Sequence, residues 1–219
     1  MSIESNLLNI KQTLPEGVTL VAVSKTKSNE CILEAYNAGH RIFGENKIQE
    51  MAQKWEALPK DIQWHMIGHV QRNKVKYMAQ FVALVHGVDS FKLLKEIDKQ
   101  AKKHNRTIDC LLQIHIAEED TKFGLDQTEM TTIVNSKEFY QLENIRIIGL
   151  MGMATFTSNS SQIRKEFKNL KSIFDNLKNS LPDVYVLSMG MSGDYELAIE
   201  EGSTMVRIGS SIFGMRNYP

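Results

Sequence analysis

The sequence predicts a single (β/α)8 barrel, also called a TIM barrel, preceded by an N-terminal helix. Short β-rich segments alternate with longer helical segments about eight times along the 219 residues, which is typical of a parallel sheet with helical crossovers. The chain is shorter than the roughly 250 residues of a typical barrel, so short loops are expected. No GxGxxG motif follows the first strand, where Lys25 stands instead. This disfavours the competing open, doubly wound sheet.

Eight segments have the length and composition of buried strands. They are Thr19–Ser24, Arg41–Gly44, Gln63–Ile67, Ala83–His86, Asp109–His115, Ile145–Met151, Val184–Leu187 and Met205–Ile208. Apolar residues at helical spacing predict the helices that lie between them. These are Glu30–Ala38, Ile48–Leu58, Asn73–Gln80, Phe91–His104, Thr128–Val134, Ile163–Leu181 and Asp194–Glu201, with a mobile polar loop at Phe156–Ser161. No linker or shift in composition divides the chain, so residues 1–219 are predicted to form one domain.

Composition restricts the classes of partner. Acidic and basic residues balance at 26 each, so no overall field attracts nucleic acid. No run approaches the roughly 18 apolar residues of a membrane span, and the N-terminus lacks the apolar core of a signal peptide. Cys31 and Cys110 have neither CxxC nor zinc spacing and are predicted to be reduced thiols. A cytoplasmic protein without nucleic-acid or membrane partners is expected.

Lys25 is the strongest candidate for chemistry. It directly follows the apolar run of the first predicted strand, and the carboxyl ends of barrel strands carry the active site. A lysine that is partly desolvated there has a lowered pKa and is suited to Schiff-base formation. The alternative is an ordinary solvated lysine on a loop.

Two clusters of glycine and serine follow the last two strands and predict an anion site. The first cluster, Ser188, Gly190, Ser192 and Gly193, comes directly before a helix. The second, Gly209, Ser210 and Ser211, repeats the arrangement one strand later. Glycines let backbone N–H groups approach a ligand, and many barrels bind phosphate with these two loops. Each cluster taken alone is also compatible with an ordinary turn and helix cap.

Two further features leave alternatives open. Arg207 lies within the last strand and needs a partner, which is either a ligand inside the barrel or a carboxylate outside it. Four histidines near strand ends would suit a metal-dependent barrel enzyme, but none forms an HxH pair on a strand, so structural roles are favoured. These histidines are His65, His69, His86 and His115.

Taken together, the strand-end segments resemble the pyridoxal 5′-phosphate (PLP) homeostasis proteins, the YggS/PROSC-type family, over nearly the whole chain. The segments that carry the resemblance are Val21–Lys27, Phe43–Asn46, Trp64–Gly68, Lys122–Gly124, Gly149–Met151, Leu187–Ser192 and Val206–Ser210.

The resemblance implies a barrel similar to the N-terminal domain of alanine racemase, with PLP bound as a Schiff base to Lys25. It further implies roles for the other site residues. Phosphate would be held by Ser188, Gly190, Ser192, Gly209 and Ser210, the pyridine nitrogen would face Arg207, and the ring would be lined by Asn46, His65 and Met151.

Two functions follow from the resemblance. The first is intracellular PLP homeostasis, in which the protein buffers PLP or delivers it to apo-enzymes with little turnover, and a monomer is expected. The alternative is a low-activity PLP-dependent amino-acid racemase. Racemisation usually needs a second proton-transfer group opposite the lysine, and no tyrosine lies in a strand-end motif. The homeostasis role is therefore favoured.

Overall fold

The computed structural model describes residues 2–119 and 123–215 and confirms the predicted closed barrel of eight parallel strands. The strands are β1 (Thr19–Val23), β2 (Ile42–Glu45), β3 (Gln63–Met66), β4 (Leu84–Val88), β5 (Ile108–Gln113), β6 (Ile145–Met151), β7 (Val186–Met191) and β8 (Met205–Ile208). They pair in chain order, and β8 closes the ring by pairing with β1. The carboxyl ends of all eight strands therefore meet at one face of the barrel.

Helices connect the strands on the outside, and the predicted N-terminal helix is present. The helices are α1 (Ile3–Thr13), α2 (Asn29–Asn37), α3 (Ile48–Ala57), α4 (Phe91–Lys103), α5 (Gln127–Val134), α6 (Ser160–Leu177), α7 (Tyr195–Glu200) and α8 (Ser210–Phe213). Two 3-10 helices, Arg72–Tyr77 and Phe139–Gln141, complete the described elements.

Three predicted segments differ from the structure by more than one or two residues at an end. The segment predicted as helix Asn73–Gln80 is the 3-10 helix Arg72–Tyr77, whose spacing of three residues suits the fully buried Val75 and Met78. Helix α6 begins at Ser160, inside the predicted polar loop, because the Asn159 side chain accepts hydrogen bonds from two backbone N–H groups of the first turn. Strand β7 continues past Leu187 to Met191, with an irregular register against β8.

Two layers of side chains fill the molecule. The larger apolar core lies between the sheet and the helices and includes Phe43, Trp64 and Phe167. A smaller cluster has members on most of the strands and fills the inside of the barrel. It consists of Val21, Leu84, Leu111, Ile148, Met151, Val186 and Met205.

Alternation along the strands places polar groups above this inner cluster. Side chains two positions apart share one face of a strand. A residue of this cluster is followed two positions later by a polar one on four strands. The pairs are Leu84 and His86 on β4, Leu111 and Gln113 on β5, Val186 and Ser188 on β7, and Met205 and Arg207 on β8. The interior is therefore apolar below and polar toward the carboxyl ends, where a ligand would enter.

Candidate functional site

A cavity of about 480 Å³ opens at the carboxyl ends of the strands. Its walls come from the segments at the ends of β1, β2, β3, β6, β7 and β8. Six of the predicted site residues line it together: Lys25, Asn46, Ser192, Arg207, Gly209 and Ser210. The fold thus brings together in one cavity residues that are far apart in sequence, from the end of β1 to the end of β8.

Lys25 stands at one side of this cavity, immediately after β1, and is partly buried. The next residue, Thr26, has a φ of 64°, a left-handed conformation that is unfavourable for a β-branched residue. The chain therefore turns sharply at the lysine. The turn is also connected across the cavity mouth, because Lys27 Nζ donates to the carbonyls of Phe213 and Gly214 at 2.9 and 3.1 Å.

The loops after β7 and β8 form another wall of the cavity. Gly190 has a φ of 96°, and a Cβ there would lie 2.6 Å from Ala198 Cβ, so the tight turn into α7 requires glycine. The two loops are joined directly, since the backbone N–H of Gly209 donates to Ser192 Oγ at 3.2 Å. A hydroxyl that accepts this bond keeps its own proton to donate. Hydroxyls and backbone N–H groups with this arrangement suit an anion.

Arg207 points into the barrel, which decides between the two orientations that the sequence left open. It is 4% exposed, lines the cavity, and donates to the carbonyl of Ser188 at 2.9 Å and that of Gly152 at 3.0 Å. Burial lowers the pKa of the guanidinium to about 10, while Asp194, another residue of the cavity wall, opposes the shift. Arg207 therefore remains a cation at neutral pH and can only donate hydrogen bonds.

A chain of buried hydrogen bonds runs from Arg207 across the barrel. Arg207 Nη1 donates to Ser188 Oγ at 2.6 Å, Ser188 Oγ lies 3.1 Å from His86 Nδ1, and His86 Nε2 lies 3.1 Å from His65 Nδ1. Burial lowers the pKa of His65 to about 3 and that of His86 well below its ordinary value, so both rings are neutral.

The direction of this chain follows from its first member. Because the guanidinium has no lone pair to offer, Ser188 Oγ accepts and its hydroxyl proton goes to His86 Nδ1. Neutral His86 then carries its proton on Nε2 and donates it to His65 Nδ1, which assigns the His65 proton to Nε2. The two tautomers are thus set by a cation on the opposite side of the barrel.

Four predicted site residues do not line the cavity. His65 and Ser188 belong to the hydrogen-bonded chain, and Met151 belongs to the inner apolar cluster. Gly190 packs against α7. They form the layer that supports the cavity wall, and their contact with a ring or phosphate stays a prediction. Lys122, part of one of the motifs that carry the resemblance, lies outside the described residues.

Sequence reasoning missed several parts of the wall. Ile67, Thr155 and Asp194 line the cavity, and Thr155 is held by two hydrogen bonds to the buried carboxylate of Glu166, each 2.7 Å long. Ile67 and Asp194 could have been predicted, because both follow a strand and so lie at the carboxyl face. A buried glutamate on the inner face of α6 gives no such signal, because its sequence context matches that of a solvated one.

The histidines considered as metal ligands all have other hydrogen-bond partners, and His65 and His86 are bonded to each other in the buried chain. His69 Nδ1 lies 2.9 Å from Asp89 Oδ2, and His115 Nε2 lies 3.1 Å from the carbonyl of Glu119. Within residues 2–119 and 123–215 no group of three or more His, Cys, Asp or Glu side chains could hold a metal ion. In the same described part of the chain, no helix has both the length and the apolar character needed to cross a membrane.

Fold and site together define a closed barrel of eight parallel strands with a lysine after β1 and a wall of hydroxyls and backbone N–H groups after β7 and β8. The sequence profile of the family described as alanine racemase, N-terminal domain, matches residues 1–217. A pyridoxal phosphate homeostasis protein of Aquifex aeolicus is 41% identical over 208 residues, which cover 91% of this chain and 87% of that protein. The chain therefore belongs to the pyridoxal phosphate homeostasis proteins, within the alanine racemase N-terminal domain family.

Solved structures give the same result. PipY of Synechococcus elongatus PCC7942 without PLP has a TM-score of 0.92 at 33% identity, covering 97% of this chain and all of that one. The same protein with PLP bound has a TM-score of 0.88 at 32% identity and the same coverage. An alanine racemase of Clostridium difficile 630 shares the fold, with a TM-score of 0.82 at 17% identity, and this chain covers 57% of it.

Proposed function

We propose that this protein binds PLP in the cavity as a Schiff base with Lys25 and takes part in PLP homeostasis. The observation that carries the proposal is the meeting of Lys25, Arg207 and the Ser192–Gly209 wall in one cavity of about 480 Å³. A primary amine, a cation and an anion-binding wall match the aldehyde, the ring nitrogen and the phosphate of PLP. The names of the relatives and the PLP-bound PipY structure support this assignment.

Each group has a distinct task in this proposal. Lys25 supplies the amine, and Ser192, Gly209 and Ser210 hold the phosphate through hydroxyl and backbone donors. Asn46 lines the ring. When bound, PLP supplies an electron sink, whose strength depends on protonation of the pyridine nitrogen.

Arg207 would weaken PLP as an electron sink. A buried cation that only donates hydrogen bonds keeps a facing pyridine nitrogen unprotonated, because a proton there would meet a like charge. The hydrogen-bonded chain behind Arg207 holds the guanidinium in this orientation. A weak electron sink suits a protein that stores PLP or delivers it to apo-enzymes with little turnover. We further propose that it acts as a monomer in the cytoplasm, where its two free cysteines stay reduced.

Absorbance and mass spectrometry test the assignment. Wild-type protein mixed with PLP should show a visible absorption band that borohydride abolishes, and the reduced adduct should map to Lys25. The Lys25→Ala variant should lack both. Lys27→Ala is the matched control, because Lys27 also lines the cavity, and it should keep the adduct on Lys25. An adduct on another residue, or none in the wild type, would refute the proposal.

An assay for the interconversion of L- and D-alanine separates an enzymatic role from a homeostasis role. Protein at catalytic concentration should leave L-alanine unchanged over many equivalents if the protein is a carrier. Sustained conversion that depends on Lys25 would establish the racemase instead.

A further inference from the structure

A buried polar cluster outside the barrel holds the turn that carries Lys25. Its members are Ser24, Glu45, Glu50 and Lys54, and we call it the outer clamp. Ser24 and Glu45 are fully buried and Lys54 is 6% exposed. Since Val21 and Lys25 face the interior, alternation turns Ser24 to the opposite side of β1. The outer clamp therefore lies on the outer side of the turn, and none of its four residues lines the cavity.

Lys54 is the hub of the clamp. Its Nζ donates to Ser24 O at 2.9 Å, to Glu45 Oε1 at 2.8 Å and to Glu50 Oε1 at 2.6 Å. An ammonium has three protons to donate, and three acceptors occupy them. Ser24 Oγ adds a bond of 2.5 Å to the same Glu45 oxygen. The side chain is thereby fixed in one position despite its length.

The clamp binds both peptide groups that flank Lys25. The carbonyl of the Ser24–Lys25 peptide accepts from Lys54, and the N–H of the Lys25–Thr26 peptide donates to Glu50 Oε1 at 2.6 Å. Fixing these two peptide planes fixes the direction in which the Lys25 side chain leaves the backbone. It also accounts for Thr26 at a φ of 64°, since an unfavourable backbone conformation persists only where surrounding contacts determine it.

The outer clamp contains a buried group that lowers the stability of the folded protein. Glu45 Oε2 is buried and has no hydrogen-bond partner, and burial raises the pKa of this carboxyl against the opposing effect of Lys54. An apolar residue at this position in β2 would avoid the desolvation penalty. Locally unfavourable groups of this kind are found where function requires them.

We propose that Glu50, Lys54 and Glu45 are positioning residues that orient Lys25 for Schiff-base formation. This inference rests on the proposed function. Glu50 is the residue to test, because it is only partly buried and its removal leaves the Lys54–Glu45 pair in place. Glu50→Ala deletes the acceptor of the Thr26 N–H, whereas Glu50→Gln keeps an oxygen there. Asp175→Ala is the matched control, since Asp175 pairs with Lys171 at the same i,i+4 spacing on α6.

Two ligands separate positioning from general stability. Pyridoxine 5′-phosphate has the ring and phosphate of PLP but an alcohol in place of the aldehyde, so it cannot bond to Lys25. Loss of a hydrogen bond to a charged group corresponds to a change of about tenfold. Glu50→Ala should weaken PLP binding by about that factor while its affinity for pyridoxine 5′-phosphate stays within about twofold of the wild type. Glu50→Gln and Asp175→Ala should bind both ligands as the wild type does.

Hydrogen exchange tests the clamp without any ligand. The Thr26 amide should exchange about tenfold faster in Glu50→Ala than in the wild type or in Glu50→Gln. Unchanged exchange, unchanged PLP affinity, or equal loss of both ligands in Glu50→Ala would overturn the inference. If exchange accelerates as expected but wild type and Lys25→Ala bind PLP equally, the proposed function fails while the backbone clamp stands.

Discussion

Replacing Ser188 with alanine tests the hydrogen-bonded chain that runs from Arg207 to His65. The serine is fully buried, and its hydroxyl joins a charged donor to a neutral acceptor on the far side of the barrel. Alanine removes the hydroxyl with almost no change of shape. The consequence is therefore electrostatic and not a matter of packing.

The cost follows from the two bonds that are lost. A hydrogen bond to a charged group contributes about 1.5–3 kcal/mol, and a buried acceptor left without a donor costs about 1–3 kcal/mol. Arg207 Nη1 keeps its 2.9 Å bond to the Ser188 carbonyl, so the lower part of the first range applies. His86 Nδ1 loses the donor that the chain gives it. The free energy of unfolding should fall by about 3 kcal/mol, and Tm by roughly 6–12 °C for a chain of this length.

Urea and thermal unfolding of the protein without ligand, followed by circular dichroism, measure this change. Ser203→Ala is the matched control, because Ser203 is also buried but donates only to neutral carbonyls, such as that of Met189 at 2.7 Å. It should cost only about 1 kcal/mol. Equal costs for the two serines would refute the charged chain as the source of the effect. Adding His86→Leu to Ser188→Ala should cost less than His86→Leu alone, since the two residues share one bond.

Two further predictions concern acid stability and the turn into α7. Because His65 and His86 have lowered pKa values in the folded state, the unfolded chain binds protons first below its pKa of about 6.5, so stability present above that pH is lost on acidification. Each histidine should lower the free energy of unfolding by about 1.4 kcal/mol per pH unit between pH 6 and 4. In urea unfolding of His65→Gln, the free energy of unfolding should therefore depend less steeply on pH. An unchanged pH dependence would contradict a lowered pKa of His65 in the folded protein. Gly190→Ala should destabilise the protein by about 3 kcal/mol in the same assay, since the new Cβ meets Ala198 and φ stays positive. Gly193→Ala, where a Cβ meets nothing within 4 Å, should stay near the wild type, and equal effects would rule out the steric reason.

Most of the fold was accessible from the sequence because barrel strands and helices have different periods. The alternation of the two periods predicted eight strands in the right order, and the strand Ile145–Met151 has the predicted bounds. Apart from the 3-10 helix Arg72–Tyr77, the larger errors occurred at the ends of elements. The start of α6 depends on the Asn159 side-chain cap, and the end of β7 depends on an irregular pairing with β8. Neither feature alters the pattern of apolar residues in the neighbouring sequence, so the pattern could not predict these ends.

Part of the site was equally accessible, since a residue that directly follows a barrel strand must lie at the carboxyl face. This rule predicted Lys25, Ser192 and Gly209, which line one cavity. The same rule could not separate residues of the wall from residues beneath it. Ser188 and His65 lie within strands, and their depth depends on the tilt and register of the closed sheet.

The class of fold and the face on which the site lies can be predicted from the sequence, because periodicity and strand order are local properties of the chain. Which polar residues meet depends on tertiary packing. Ring closure brings Arg207 beside β1, Ser188 reaches His86 across the barrel interior, and Lys54 reaches Ser24 from a helix outside it. In the chain of buried hydrogen bonds, His86 on β4 is 102 residues away from Ser188 on β7 and 21 residues away from His65 on β3. Burial and partner choice at such separations depend on how the whole chain packs, and no local pattern records them.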